Sequence, residues 1–318
     1  MRQSGRMNTH FASTAEKRTS YPQKKKQHTI PICYLENFTD DKGSLHVLDL
    51  QKDKTFTTKP RNVLTDNHFY TIKFYEGGGS FVVENTLERI ESEYASVFQK
   101  KIKVEKPLER LERGLISVFV AAMLLRTKAF RNNLENTFRE IEDFIKKFEN
   151  LSEKEKEDLA SMPRPSRSGP AITGEEFKKI AKDVSSFHSL SIVDMLREVS
   201  NIIYKMKWGF LLSDRKEDYF ITSDNPCVLI NIPAIKKYGI NAIGSSPGLC
   251  QDEVELSLPL SSQISLLAGW KLKQEVYSPV PSRIIDQINI RVMMYAKEKA
   301  IAKSNEKLLE VFSKLKKP

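Results

Sequence analysis

The functional groups best placed for chemistry stand together on one turn, Thr222-Ser223-Asp224-Asn225 before Pro226, between apolar runs on either side. Turns held by a rigid scaffold are where binding and catalytic groups concentrate. Asp224 could serve as a hard oxygen ligand or a base, and Ser223 as a hydrogen-bond donor. Asn225 is a candidate substrate contact. The same residues also suit a purely structural link, because an aspartate closes an Asx turn and a residue before proline is held extended. No serine of the chain lies in a Gly-x-Ser-x-Gly elbow, which argues against a Ser-His-Asp hydrolase.

Five more residues extend this set. His28 lies beside an extended segment and titrates near neutral pH, so it could act as a general base or ligand, or be a histidine hydrogen-bonded at a strand edge. Glu84 and Glu91 are two helical turns apart on one flank, a spacing that can aim carboxylates into one cleft, although exposed helix glutamates are commoner. Arg126 ends the most apolar run, where a guanidinium needs a partner; Glu84 or Glu91 is the expected one, in a structural ion pair or beside a substrate. Asn289, on a late helix, could cap a loop or touch a ligand. His10, His46, His68 and His188 fall in no His-Glu-x-x-His spacing.

The elements that must position these groups are legible as periodicity. Leu45 to Leu50 pairs with Thr55 to Thr58 as a β-hairpin. Val83, Leu87, Ile90, Tyr94, Val97 and Phe98 recur at helical steps, a second helix is expected from Pro107 through Arg126, and a third carries Leu134, Phe138, Ile141, Ile145 and Phe148. Ser152 to Glu155 and Thr173 to Glu176 match capping boxes, residues 162–172 read as an exposed linker, and a long helical region is expected to reach Trp208. Short apolar segments from Phe210 to Trp270 form a second β region, after which helical spacing resumes at Ile284 and runs into a basic terminal helix. Gly77-Gly78-Gly79 reads as a loop, since no Gly-Lys-Ser/Thr follows it. The expected class is α+β: a helical middle flanked by an N-terminal β-hairpin and a C-terminal antiparallel region. The expected organisation is a basic tail over 1–27, one domain over 28–301, and a terminal helix over 302–318.

Composition bounds the function. Apolar residues make up 40% of the 318, enough for a sizeable core. The run from Leu115 to Leu125 is well short of the roughly 20 residues a membrane span needs, and the first 27 residues lack the apolar centre of a secretory signal. Cys33, Cys227 and Cys250 form no Cys-x-x-Cys pair, which fits a reducing compartment, and the cytoplasm is the expected address. The net charge of +10 suggests nucleic acid, yet residues 1–27 hold seven basic residues against one acidic, leaving 44 basic and 40 acidic elsewhere. The charge signal therefore belongs to the tail, as a solvated segment or a nucleic-acid arm.

An ordered series along the chain resembles the bacterial and fungal proteins grouped as domain-of-unknown-function family 4238. It comprises His28 with Tyr34-Leu35 and Phe38, Asn62-Val63 with Phe69-Tyr70, Glu84 with Ile90-Glu91, Arg126, Trp208, Thr222 to Pro226, Leu258-Pro259-Leu260 and Asn289. The resemblance spans most of residues 28–301 and implies no particular activity or cofactor. Two functions follow from the residues. In one, His28, Glu84, Glu91 and Asp224 hold Mg²⁺ or Mn²⁺ for phosphodiester hydrolysis, with Arg126 or the tail binding nucleic acid or a nucleotide. In the other, the same groups brace the fold of a binding or regulatory module.

Overall fold

The computed structural model describes residues 26–70, 72–73, 79–80, 82–161, 177, 180–238, 247–272 and 277–316. Most of the basic tail, Gly77 and Gly78, the expected linker over 162–172 and the second capping box lie outside the described residues. The protein is α+β. Its strands are β1 (Lys26–His28), β2 (Leu45–Asp49), β3 (Lys54–Thr58), β4 (Thr65–Asn67), β5 (Ile72–Lys73), β6 (Gly79–Ser80), β7 (Lys207–Leu212), β8 (Thr222–Ser223), β9 (Val228–Asn231), β10 (Val254–Pro259), β11 (Ile264–Gly269), β12 (Tyr277–Pro279) and β13 (Lys299–Ala302). Its helices are α1 (Ile32–Leu35), α2 (Val82–Lys100), α3 (Arg110–Leu125), α4 (Lys128–Glu149), α5 (Glu153–Ser161), α6 (Val184–Lys205), α7 (Ile232–Tyr238), α8 (Ser282–Tyr295) and α9 (Asn305–Lys316).

The expected hairpin forms, with Val47 opposite Phe56 across β2 and β3. It does not stand apart from the later β content. β2 pairs with β13, near the other end of the chain, and β13 pairs with β8, giving one four-stranded sheet in the order β3-β2-β13-β8. Lys299-Ala-Ile-Ala is too short for periodicity to separate strand from helix, so the sequence reading runs helix straight into helix there. A five-stranded sheet, β12-β7-β11-β10-β9, is antiparallel except for the parallel pair β12 and β7.

The helical middle packs on these sheets. All six periodic positions of α2 are buried, and Tyr94 stacks on Phe119 of α3 with ring centroids 3.6 Å apart. Helix α3 starts at Arg110, three residues past Pro107, because Glu109 and Glu112 close a capping box there. It packs along α6, whose inner face carries His188, Ile192, Leu196 and Ile203. Burying such aliphatic side chains contributes roughly 1.5–3 kcal/mol each. Helix α6 ends at Lys205, short of Trp208: Met206 turns extended, and the Trp208 indole on β7 donates to the Ile203 carbonyl at 3.0 Å, satisfying an open helix end. The Ser152 to Glu155 capping box forms as expected.

Candidate functional site

The side chains of Ser223, Asp224 and Asn225 each complete a piece of backbone. Strand β8 is only two residues long, and the chain leaves the ladder at Asp224, whose N–H still donates to the Lys299 carbonyl at 3.0 Å. The Asp224 carboxylate then accepts from the backbone N–H of Lys297 at 2.9 Å and of Glu298 at 2.7 Å, one to each oxygen. Burial raises its pKa, and those two donors oppose the rise. The Ser223 hydroxyl accepts from Asn225 N–H at 3.1 Å, and the Asn225 amide donates to the Tyr295 carbonyl at 3.1 Å. The fully buried Asn289 accepts from Ile221 N–H at 2.9 Å and donates to the Tyr219 carbonyl at 2.8 Å, standing in for a neighbouring strand.

Tyr34 ties this turn to the N-terminal segment. Its hydroxyl donates to the Pro259 carbonyl at 2.7 Å and therefore accepts from Thr222 Oγ1 at 2.8 Å. In the sequence Tyr34 stands only in the opening segment, 188 residues from Thr222, and no local pattern marks the two as partners.

His28, Glu84, Glu91 and Arg126 form a second knot. Arg126 is 2% exposed at the end of α3, and its guanidinium donates to Glu91 Oε1 at 2.8 Å, the His28 carbonyl at 2.8 Å and the Tyr70 hydroxyl at 3.3 Å. The expected ion pair therefore forms, with Glu91 as the partner. Glu84 accepts instead from the Gln27 amide at 3.0 Å, and Gln27 Oε1 accepts from Tyr70 N–H at 2.7 Å. The His28 imidazole reaches the Arg61 carbonyl at 3.3 Å; burial lowers its pKa although that carbonyl favours the charged form.

The expected metal cluster is not assembled. Glu84 and Glu91 are held on α2 by Gln27 and Arg126, while each oxygen of Asp224 accepts a backbone N–H, from Lys297 and from Glu298. Among the described residues no group of three or more His, Cys, Asp or Glu could hold a metal ion. A bracing role for Asp224 has a direct consequence. Asp224→Asn, which replaces one acceptor with a donor facing a backbone N–H, is expected to lower the unfolding free energy by about 1–3 kcal/mol, read from the urea midpoint.

Two cavities flank the turn. On Asp224's side a pocket of about 170 Å³ is lined by Thr29, Asn62, Lys128, Glu298 and Lys299. Its charges are internally compensated, since Lys128 pairs with Glu298 and Asp66, and Lys299 with Glu298. On the Asn225 side lies a cleft of about 740 Å³, between the α3–α4 corner, α6, the strand after Pro226 and the ends of α8 and α9. Phe130, Asn133, Leu134 and Thr137 face it from α4 at three- and four-residue steps, and Asn225 and Cys227 face it from the turn. These walls come from separated segments, and no local motif announces them.

Residues 26–306 match the family model described as "Protein of unknown function (DUF4238)". Comparison with curated proteins and with solved structures gives no match. A match over that span places the chain in its family: it belongs to the DUF4238 proteins.

Proposed function

We propose that the protein is a non-catalytic binding module that takes a small apolar or amphipathic molecule in the cleft beside the Thr222 to Pro226 turn. The observation that carries this reading is the cleft itself: about 740 Å³, within the range of small-molecule sites, with predominantly apolar walls and a few polar groups on its rim. The polar residues that suggested hydrolysis are occupied in bracing the cleft's supports. Asn225 and Asp224 fix the turn that forms one wall, and Arg126 locks the α3–α4 corner that forms another. Such rigid support keeps an apolar cleft open at low conformational cost on binding.

An uncharged solvatochromic dye tests the reading. Saturable binding with one site per chain is expected in wild type, with at least a tenfold loss in Thr137→Trp, which fills the cleft from an exposed position of α4. Turnover of a phosphodiester in Mg²⁺ or Mn²⁺ that disappears in Asp224→Asn while folding persists would return the reading to hydrolysis.

A further inference from the structure

With the chain taken as a binding module, the lining of the cleft narrows its ligand. Among the described residues facing it, Lys297 is the sole charged side chain, and no carboxylate lines it. Lys297 is exposed, and no described carboxylate pairs with its ammonium, whereas neighbouring Lys299 and nearby Lys128 are both paired with Glu298. Beside it, Tyr295 lines the same cleft, and its buried phenol oxygen has no hydrogen-bond partner among the described residues. The end of the cleft at Lys297 is thus cationic. The remainder is mainly aliphatic: Leu134, Met195, Leu229, Leu249, Met294 and Leu315 contribute flexible side chains from five elements and one loop. A planar ring is best gripped between aromatic faces, but a flexible chain fits leucine and methionine walls, which repack around it.

We infer that the cleft binds a single-chain amphiphile whose anionic head pairs with Lys297 and whose alkyl chain lies along the aliphatic walls. Charge complementarity selects the head, because the described residues offer one cation to the cleft and no acid to oppose it.

The test is displacement of the uncharged dye from the full chain by straight-chain carboxylates of increasing length, each below its micelle concentration. The 1-alkanol and the alkyltrimethylammonium of equal length serve as neutral and cationic controls. Affinity should rise by about fourfold per added methylene until the cleft is filled. The carboxylate should exceed the matching alcohol by about fivefold, an exposed charge pair's contribution. Lys297→Glu should reverse that order and Lys297→Arg keep it, with unchanged melting in both, since the side chain at 297 makes no contact that the fold requires among the described residues. Equal binding of carboxylate, alcohol and ammonium, or indifference to Lys297→Glu, overturns the anionic head and leaves the binding module standing. Tighter binding of compact aromatic acids than of alkyl chains overturns the chain. Failure of the dye to bind, or binding unaffected by Thr137→Trp, overturns the cleft and this ligand together.

Discussion

Arg126→Ala is expected to lower the unfolding free energy by about 3–5 kcal/mol, the typical effect of removing one partner of a buried ion pair. Domains of this kind are stable by roughly 5–15 kcal/mol, so the variant should sit near the edge of folding at 37 °C. The size follows from what the guanidinium holds. It ties Glu91 on α2, the His28 carbonyl on β1 and the Tyr70 hydroxyl to the end of α3, and the alanine leaves all three without that partner. Arg126→Lys should recover only part of the loss, because an ammonium cannot present the fork that reaches three acceptors in different directions. Glu91→Gln keeps an acceptor but leaves the buried guanidinium without its counter-charge, so it too should be costly, about 3 kcal/mol. Urea unfolding of the three variants measures the series. An Arg126→Ala protein of unchanged stability that has lost ligand binding would instead make Arg126 a contact of the ligand.

That pair also marks where sequence reading stops. A guanidinium ending the run Leu115 to Leu125 must find an acceptor, so its burial and pairing follow from the sequence. The choice between Glu84 and Glu91 does not, because both lie on the same flank of α2 and differ by two turns of rise. The structure decides it through Gln27, whose amide takes Glu84 and leaves Glu91 to Arg126. Local pattern likewise yields the β2–β3 hairpin and every buried position of α2, where periods of two and three to four residues are unambiguous. It fails at β13, four residues long, whose identity as a strand comes from β2 and β8 on either side. The Thr222 to Asn225 turn was legible as a polar island. Asn289 was legible as its company and lies beside it, on the Ile221 N–H; Tyr34, Lys297 and Glu298 were not, since they reach the turn across the chain, the last two through backbone N–H groups that leave no compositional trace.

The cleft was hidden for a related reason. The apolar spacing of Phe130, Leu134 and Phe138 identifies a face of α4, but says nothing of what lies opposite. Met195 on α6, Leu249 in a loop and Leu315 on α9 supply the other walls. A volume is a relation among segments, so it becomes visible only when the sheets have brought the chain's ends together.

Acidification is expected to weaken the protein through His188, which is fully buried on α6 against the end of α3. Its Nδ1 accepts from Arg131 Nε at 3.2 Å, so the proton of the neutral ring is on Nε2, which donates to the Leu125 carbonyl at 2.9 Å. Protonating Nδ1 would remove that acceptor and set two cations face to face in a site enclosed by the Phe69 and Phe130 rings. Burial first, and then the Arg131 charge, lower the pKa from 6.5 to about 4. The unfolded chain therefore takes up a proton between those values while the native chain does not. The stability that His188 confers is complete above pH 6.5 and is lost as the pH falls towards 4, at up to about 1.4 kcal/mol per pH unit and about 3 kcal/mol in all. The depressed pKa of His28 acts in the same direction, whereas the raised pKa of Asp224 acts against it. Subtraction of a His188→Gln variant isolates the term, because glutamine can accept from Arg131 and donate to Leu125 without titrating. Urea midpoints at half-unit steps from pH 7 to pH 4.5 should fall more steeply for wild type than for the variant, and parallel curves would place the acid sensitivity elsewhere. Leu125 lines the cleft and its carbonyl is the group His188 holds, so loosening this contact should also weaken dye binding over the same pH window.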